Sequence, residues 1–390
     1  MVRRSSQAET KPGHLLVLDR VSSETVLSCQ FRRRQMVDAD ADTIGALIVA
    51  LPESAGSAIY GLVDVFASTG TLWRAIVGDE PGRRLIRPKI VSLSRDPFRC
   101  GNGIPITPDL TIEEKSDAGV IVVGELWLAP DDDLKDRYSE LKEWLRQRYR
   151  AGSVIYTACS GAVLLAASGL LKGKAATSHW GYADLFRRSF PYVHFVPEPN
   201  IVFADDTGRI VTAGGATSWH DLAIHIISRH CGPGEALHIA KLYLLQWHGD
   251  GQLPFASLVR RQPHADSVVR QAEDWLRKHY RESNAVAGVV EQCGIPERSL
   301  KRRFSAATGS TVIGYVQNLR IEEAKRLLES GDTSSDDIAA AVGYENPAFF
   351  RKLFKRCTGL TAGHYRRMFR PISDAGRAHG DNAMGQNRRV

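Results

Sequence analysis

Two stretches near the C-terminus repeat one another, and that repeat constrains the fold more than any other feature of the chain. CGIPERSLKRRFSAATGST (293–311) aligns with VGYENPAFFRKLFKRCTGLT (342–361) at a period of about fifty residues. Gly294 matches Gly343, Phe304 matches Phe354 and Gly309 matches Gly359, with one extra residue ahead of the second Phe. Each copy reads as a short helix, a glycine turn and a second helix. The short helices, 285–292 and 335–342, place Val286, Val289 and Val290, or Ile338, Ala341 and Val342, on one face. The second helices open near Pro296 and at Asn346-Pro347, where proline suits a first turn. They turn Leu300 and Phe304, or Phe350, Leu353 and Phe354, inward. Their outer faces are basic, with Arg298, Lys301 and Arg302 in one copy and Arg351, Lys352 and Lys355 in the other. A helix over 314–329 joins the copies, with Ile321, Ala324 and Leu328 inward and a Glu322–Arg326 pair outside. A helix-turn-helix with a basic second helix fits a DNA major groove, and two such units a fixed helix apart reach successive groove segments about 34 Å apart.

Charge supports this division of labour. Residues 265–370 hold 18 Lys/Arg against 13 Asp/Glu, whereas residues 41–264 hold 23 against 24. A neutral module joined to a basic one points to a polyanion partner for the second. No apolar run reaches the roughly 18 to 20 residues of a membrane span. The opening MVRRSSQAETKPGH lacks the apolar core of a secretory signal. The six cysteines are scattered without zinc-site spacing and read as reduced thiols of a cytoplasmic protein. His220, Asp221 and His225 share a helix, but nothing completes a metal set, so neither metal nor cofactor is expected.

Upstream the periodicity alternates. Short apolar runs at 46–51, 86–93, 120–123, 153–158, 200–204 and 209–213 read as strands. Helical spacing appears at 56–68, 134–150, 160–169, 219–230 and 234–247, the second with Leu134, Tyr138, Leu141 and Leu145 in one stripe. Strands alternating with helices predict a flavodoxin-like α/β domain, a parallel sheet with helices on both faces, ahead of an all-α domain with two helix-turn-helix motifs. The expected organisation is a mobile arm (1–41), the α/β domain (42–247), a Gly/Pro-rich linker (248–266), the DNA-binding domain (267–370) and a disordered tail (371–390).

One strand ends on a candidate nucleophile. In SVIYTACSGAVLLAASGLL (153–171) the run Val154–Ala158 stops at Cys159, which is flanked by small residues and followed at once by a helix. A sharp strand-to-helix turn is how many α/β enzymes present a reactive atom. An unassisted cysteine, with a pKa near 8.5, is mostly protonated at neutral pH, so the chemistry needs neighbours.

Residues 267–369 resemble the AraC/XylS DNA-binding domain through Ile338-Ala339, Gly343-Tyr344, Phe349-Phe350, Phe354-Lys355, Gly359-Leu360-Thr361 and Tyr365-Arg366. The resemblance implies base contacts from the second helix of each motif, here Arg298, Ser299, Lys301 and Arg302, then Asn346, Ala348, Arg351 and Lys352. Residues 43–247 resemble the PfpI-type, glutamine-amidotransferase-like superfamily, in the version fused to an AraC-type domain in GlxA-type regulators. The matching stretches are Gly61–Phe66, Tyr156–Ala162, Leu170–Trp180 and Thr212–Gly215. Enzymes of that superfamily pair the elbow cysteine with a histidine and an assisting carboxylate. His179 falls at the histidine position, but the carboxylate position is Ala58. Ser160 follows the cysteine where proteolytic members carry histidine, and Gly124-Glu125 offers one glycine where a pair is usual.

The chain therefore reads as a regulator and not as an enzyme, with Cys159 and His179 as vestiges of catalysis. The expected function is sequence-specific binding of double-stranded promoter DNA, with activation as the expected output. Control would come from a small effector, an amino acid, betaine or related nitrogen compound, bound by Cys159, Ser160, His179 and Trp180. A homodimer that meets RNA polymerase at the promoter is the expected assembly. Two alternatives stay open at this stage: a cysteine-dependent amidase, hydratase or glyoxalase-like enzyme tethered to DNA, and an α/β half that serves only as a dimerisation scaffold.

Overall fold

The run IGALIV becomes an interior strand of the sheet because both of its faces are buried. Leu47 and Val49 point into one hydrophobic cluster and Ala46 and Ile48 into another. The structure, a computed structural model, describes residues 43–80, 82–259 and 264–372. The expected arm, and all of the expected tail beyond residue 372, lie outside the described residues.

The strands are β1 (Ile44–Val49), β2 (Ile86–Ser92), β3 (Phe98–Arg99), β4 (Pro105–Ile106), β5 (Leu110–Thr111), β6 (Val120–Val123), β7 (Val154–Ala158), β8 (Ala175–Ala176), β9 (His194–Phe195), β10 (Ile201–Phe203) and β11 (Ile210–Ala213). Seven of them form one sheet in the order β10-β11-β7-β6-β1-β2-β5. All pairs are parallel except β10 with β11. Helices α1 (Gly56–Ala67), α2 (Leu72–Val77), α3 (Ser139–Arg150), α4 (Gly161–Ala167), α5 (Ala183–Ser189), α6 (Trp219–Cys231) and α7 (Pro233–Leu242) surround it. Leu141, Leu145, Val163, Leu185 and Phe186 cover one face, and Ile59, Leu62, Phe66, Leu222 and Ile226 the other. The helices on both faces agree with the expected class.

Two helices depart from their expected bounds by several residues. The one expected over 134–150 begins at Ser139, because Leu134 and Tyr138 take left-handed φ of 55° and 58°. A non-glycine residue in that region ends a helical path, so only Leu141 and Leu145 of the expected stripe lie on the helix. The helix expected over 234–247 ends at Leu242, ahead of Leu244 at φ 55°.

The helical domain comprises α8 (Ser267–His279), α9 (Ala285–Cys293), α10 (Glu297–Thr308), α11 (Val312–Ser330), α12 (Ser335–Ala341), α13 (Pro347–Thr358) and α14 (362–372). Each repeat has its own core. Val289, Leu300, Phe304 and Val316 pack in the first, and Ile338, Phe350, Phe354 and Tyr365 in the second. α11 serves both, with Val312–Val316 in one core and Ile321–Leu328 in the other. Between them the buried Arg320 donates to the carbonyls of Tyr280 (2.7 Å), Glu282 (2.8 Å) and Gly343 (2.8 Å), binding the two copies together. Gly343 is obligatory there, since its φ is 93° and a Cβ would lie 2.3 Å from the Arg281 carbonyl oxygen. Two details correct the expected pattern. Ala339, not Ala341, is buried beside Ile338 and Val342, because the helix turns its 338–339 edge inward. Glu322 pairs with Lys325 and Arg326 with Glu323, in place of a Glu322–Arg326 pair, because Lys325 is drawn inward to the Ala256 carbonyl.

Candidate functional site

The elbow is real. Cys159 sits at φ 53°, an uncommon left-handed position for a residue with a side chain, at the end of β7. Gly161 permits the turn, since a Cβ there would lie 2.4 Å from the Val123 carbonyl oxygen and 2.6 Å from that of Gly124. The thiol, however, is closed off and unactivated. Cys159 is 3% exposed, and burial pushes its pKa up to about 12, with the negative charge of Glu125 adding to the rise. The Glu125 carboxyl stands beside the Cys159 thiol, and its own pKa is raised by burial against the lowering effect of that neighbour. Ser160 is buried and tied to the Leu126 backbone, accepting from its N–H at 2.7 Å. At the expected carboxylate position the Ala58 methyl lies 3.9 Å from where a Cβ on Gly124 would stand. A carboxylate therefore does reach the cysteine, from Glu125 at the position of the missing second glycine. It opposes thiolate formation instead of assisting it.

His179 and Trp180 belong to a different wall. A cavity of about 210 Å³ is lined by His179, Trp180, Asn200, Ser218, Gln252 and Phe255, among others, and its lining does not include Cys159 or Ser160. The two places are joined through Ser178, whose hydroxyl donates to the Cys159 carbonyl at 2.7 Å. His179 Nδ1 accepts from the Gly181 N–H at 3.0 Å, which leaves the ring proton of the neutral form on Nε2. The imidazole lies 4.8 Å from the Trp180 ring.

The rest of that wall comes from the segment expected to be a linker. Gln252 is 4% exposed. Its amide nitrogen lies within hydrogen-bond reach of Thr177 Oγ1 (3.1 Å) and the carbonyls of Ser178 (3.0 Å) and Pro197 (3.1 Å), while its oxygen accepts from the Trp180 N–H (3.3 Å). Four residues earlier, His248 bonds the fully buried Asp221 twice, through its backbone N–H and Nδ1, each at 2.8 Å. Asn200 donates to the same carboxylate at 2.6 Å. Beyond the turn Leu253–Phe255 the segment meets the helical domain. The buried Lys325 donates to the Ala256 carbonyl (2.8 Å), the Leu258 N–H to Glu322 (2.8 Å), and Asn318 to the Leu258 carbonyl (3.2 Å). The Phe255 and Phe369 rings meet edge-on at 5.3 Å. Nothing in the sequence singled out Gln252, because one polar residue in a Gly/Pro-rich run looks solvated.

The DNA-reading candidates lie on the outer faces of α10 and α13. Arg298, Lys301, Arg302, Ala348, Arg351 and Lys352 are exposed and Ser299 is half-buried. Lys301 pairs with Glu297 and Arg351 with Asp336. Asn346 caps α13, its side-chain oxygen accepting from the N–H groups of Ala348 (3.0 Å) and Phe349 (3.1 Å). Among the described residues no helix is long and apolar enough to cross a membrane.

Comparison with known proteins agrees with both halves. Residues 71–229 match the DJ-1/PfpI family and residues 289–368 a helix-turn-helix domain family. The chain is 27% identical over 276 residues to the HTH-type transcriptional regulator CdhR of Pseudomonas aeruginosa, covering 70% of this chain and 79% of that protein. It is 29% identical over 228 residues to the HTH-type transcriptional regulator GlxA of Rhizobium meliloti, covering 57% and 68%. A solved structure of a putative transcriptional regulator protein from Vibrio parahaemolyticus matches 52% of this chain and all of its own, at 17% identity and a TM-score of 0.44. A DJ-1/PfpI match ahead of a helix-turn-helix match, with relatives named as HTH-type transcriptional regulators, makes the chain a transcriptional regulator with a DNA-binding helix-turn-helix domain. The chain has both domains, the arrangement of a GlxA-type transcriptional regulator.

Proposed function

We propose that a small nitrogen-bearing metabolite, an amino acid or betaine, binds in the cavity beside the elbow and controls promoter binding by the helical domain. The observation that carries this is the shared wall. His179 and Trp180 come from the α/β domain, whereas His248, Gln252 and Phe255 come from the segment held by α11 and α14. A ligand that presses Phe255 or competes for the Gln252 amide would favour one placement of the helical domain over another. Trp180 and Phe255, both in the cavity lining, offer aromatic faces for an organic cation. In this reading Cys159 and Ser160 shape the cavity from behind. Dimer formation and contact with RNA polymerase belong to the same proposal. Catalysis at Cys159 does not, because both burial and Glu125 hold the thiol protonated.

A thermal-shift screen against amino acids, betaines and polyamines tests it, with Cys159→Ala, His179→Ala and Trp180→Ala alongside. A ligand at about 100 times its Kd adds roughly 2.7 kcal/mol of stability. The expected result is a hit lost in His179→Ala and Trp180→Ala and kept in Cys159→Ala. No hit across the screen would favour the α/β domain as a dimerisation scaffold.

A further inference from the structure

The two recognition helices are aligned in sequence but not equivalent in chemistry. Superposing the repeats on Phe304 and Phe354 sets Arg298 opposite Ala348, Ser299 opposite Phe349, Lys301 opposite Arg351 and Arg302 opposite Lys352. We propose that α10 reads guanine through Arg298 and Arg302, that α13 reads thymine through methyl contacts of Ala348 and Phe349, and that the operator accordingly has two unlike elements about one helical turn apart. This rests on the DNA-binding reading of both repeats.

In α10 two of four basic residues are committed elsewhere. Arg303 grips Asp266 with two hydrogen bonds of 2.8 and 2.7 Å, fixing it to the start of α8, and Lys301 pairs with Glu297. Arg298 and Arg302 remain, exposed, one helical turn apart, and without an ion pair among the described residues. Two free guanidinium forks along one edge suit the paired O6/N7 acceptors of guanine, the base that Arg binds bidentately.

The leading edge of α13 offers no such fork. Arg351 is held by Asp336 on α12. Both lone pairs of the Asn346 side-chain oxygen are used on backbone N–H groups, so its amide cannot make the donor-plus-acceptor pairing that reads adenine. What the edge presents is apolar. Ala348 is exposed, and Phe349 is 47% exposed although the next residue, Phe350, is fully buried. Phe349 is held in place by the Tyr344 ring at 5.8 Å. The apolar group that base edges display in the major groove is the C5 methyl of thymine. Lys352, Lys355 and Arg356 are left for phosphates, which position the helix without specifying sequence.

The test is selection of bound duplexes from a randomised pool by the full-length protein, followed by affinity measurements with thymine replaced by uracil, which lacks only the methyl. The expected motif holds guanines in one element and thymines in the other, about ten base pairs away. Arg298→Ala and Arg302→Ala each relax the guanine element by about tenfold and leave the thymine element unchanged. Uracil at each contacted thymine weakens binding about fourfold, the transfer free energy of one methyl group, and weakens Phe349→Ala by less, because only the Ala348 contact is left to lose. Phe349→Leu keeps the thymine preference, and since Phe349 lies on the surface these variants fold. Identical elements in the two halves, or uracil bound as tightly as thymine, would overturn the proposal while leaving DNA binding intact. Selection of no sequence at all would overturn the DNA-binding reading beneath it.

Discussion

Cys159 and Gln252 are both buried residues tied to the 177–180 segment, the cysteine through its backbone carbonyl and the glutamine through its side-chain amide, and they are put to opposite uses. The cysteine has the backbone of a nucleophile, a left-handed elbow at the end of a strand, and an environment that denies it charge. The glutamine has the backbone of a linker and an environment that satisfies its amide on both sides. The difference teaches that the elbow's geometry and its reactivity are separable. The turn is fixed by Gly161 and the sheet, whereas reactivity depends on which charges stand within a few ångströms. It also teaches that a Gly/Pro-rich connection becomes a strap when one residue finds a buried polar socket.

The comparison is broken most severely at the turn itself. Gly161→Ala places a methyl against two backbone carbonyl oxygens of the neighbouring strand end, which cannot move without disturbing β6. It is expected to cost about 3 kcal/mol, measured by chemical denaturation of the α/β domain. A cost well under 1 kcal/mol would mean that the elbow yields easily and that its geometry is not enforced. Next in size is Gln252→Ala. It strands the acceptors of the socket and is expected to cost about 2 kcal/mol. Its sharper signature is functional, because effector-induced thermal shift should persist while the effector's influence on DNA affinity disappears. Persistence of that influence would show that coupling runs elsewhere, for instance through Arg187, which lies 3.1 Å from the Cβ position of Gly309.

Where the sequence was informative, its signal was periodic or repeated. The buried strands and both helix-turn-helix units rest on spacing that any solvent-excluded face must obey, and apart from Ala341 the structure places their expected core residues in or against the hydrophobic clusters. The elbow was legible because small residues must flank a left-handed turn. The electrostatics of the site were not. Glu125 and Cys159 are 34 positions apart in sequence and meet only because β6 and β7 are neighbours in the sheet. Gln252 and Thr177 meet only once the chain has passed around α6 and α7. Asn346 shows the converse, a residue whose type suggested base reading and whose position gives it a cap. Leu134 and Tyr138 carried a helical stripe into a turn, because hydrophobic spacing does not report φ.

A smaller effect tests the cysteine's side of the comparison. With a pKa of about 12 against about 8.5 for a free thiol, Cys159 holds more than three orders of magnitude less thiolate than a free cysteine at neutral pH. Alkylation by iodoacetamide should be correspondingly slow in the native protein and ordinary in the unfolded one. Cys159→Ala should cost only about 1 kcal/mol, since the thiol is a small buried hydrophobe. Rapid native-state labelling would return Cys159 to the class of activated nucleophiles and reopen catalysis.

The smallest effect isolates the carboxylate. Burial raises the pKa of Glu125 above its unfolded value, so the native state holds the proton more tightly than the unfolded chain does. The stability tied to that proton is fully present below the unfolded pKa and is lost as pH rises through the folded one. Glu125→Gln keeps the shape and removes the titration. The variant should therefore match the wild type in acid and exceed it slightly at pH 7, the gap opening across the pH range just above the ordinary carboxylate pKa. The same change removes the negative charge that disfavours the thiolate, so alkylation of Cys159 should quicken while remaining slow, because burial, the larger cause, is untouched. A variant less stable than the wild type at pH 7 would mean that the carboxylate is held by a partner that favours its charge. The elbow would then have to be regarded as a site poised for chemistry, and the contrast with Gln252 would narrow.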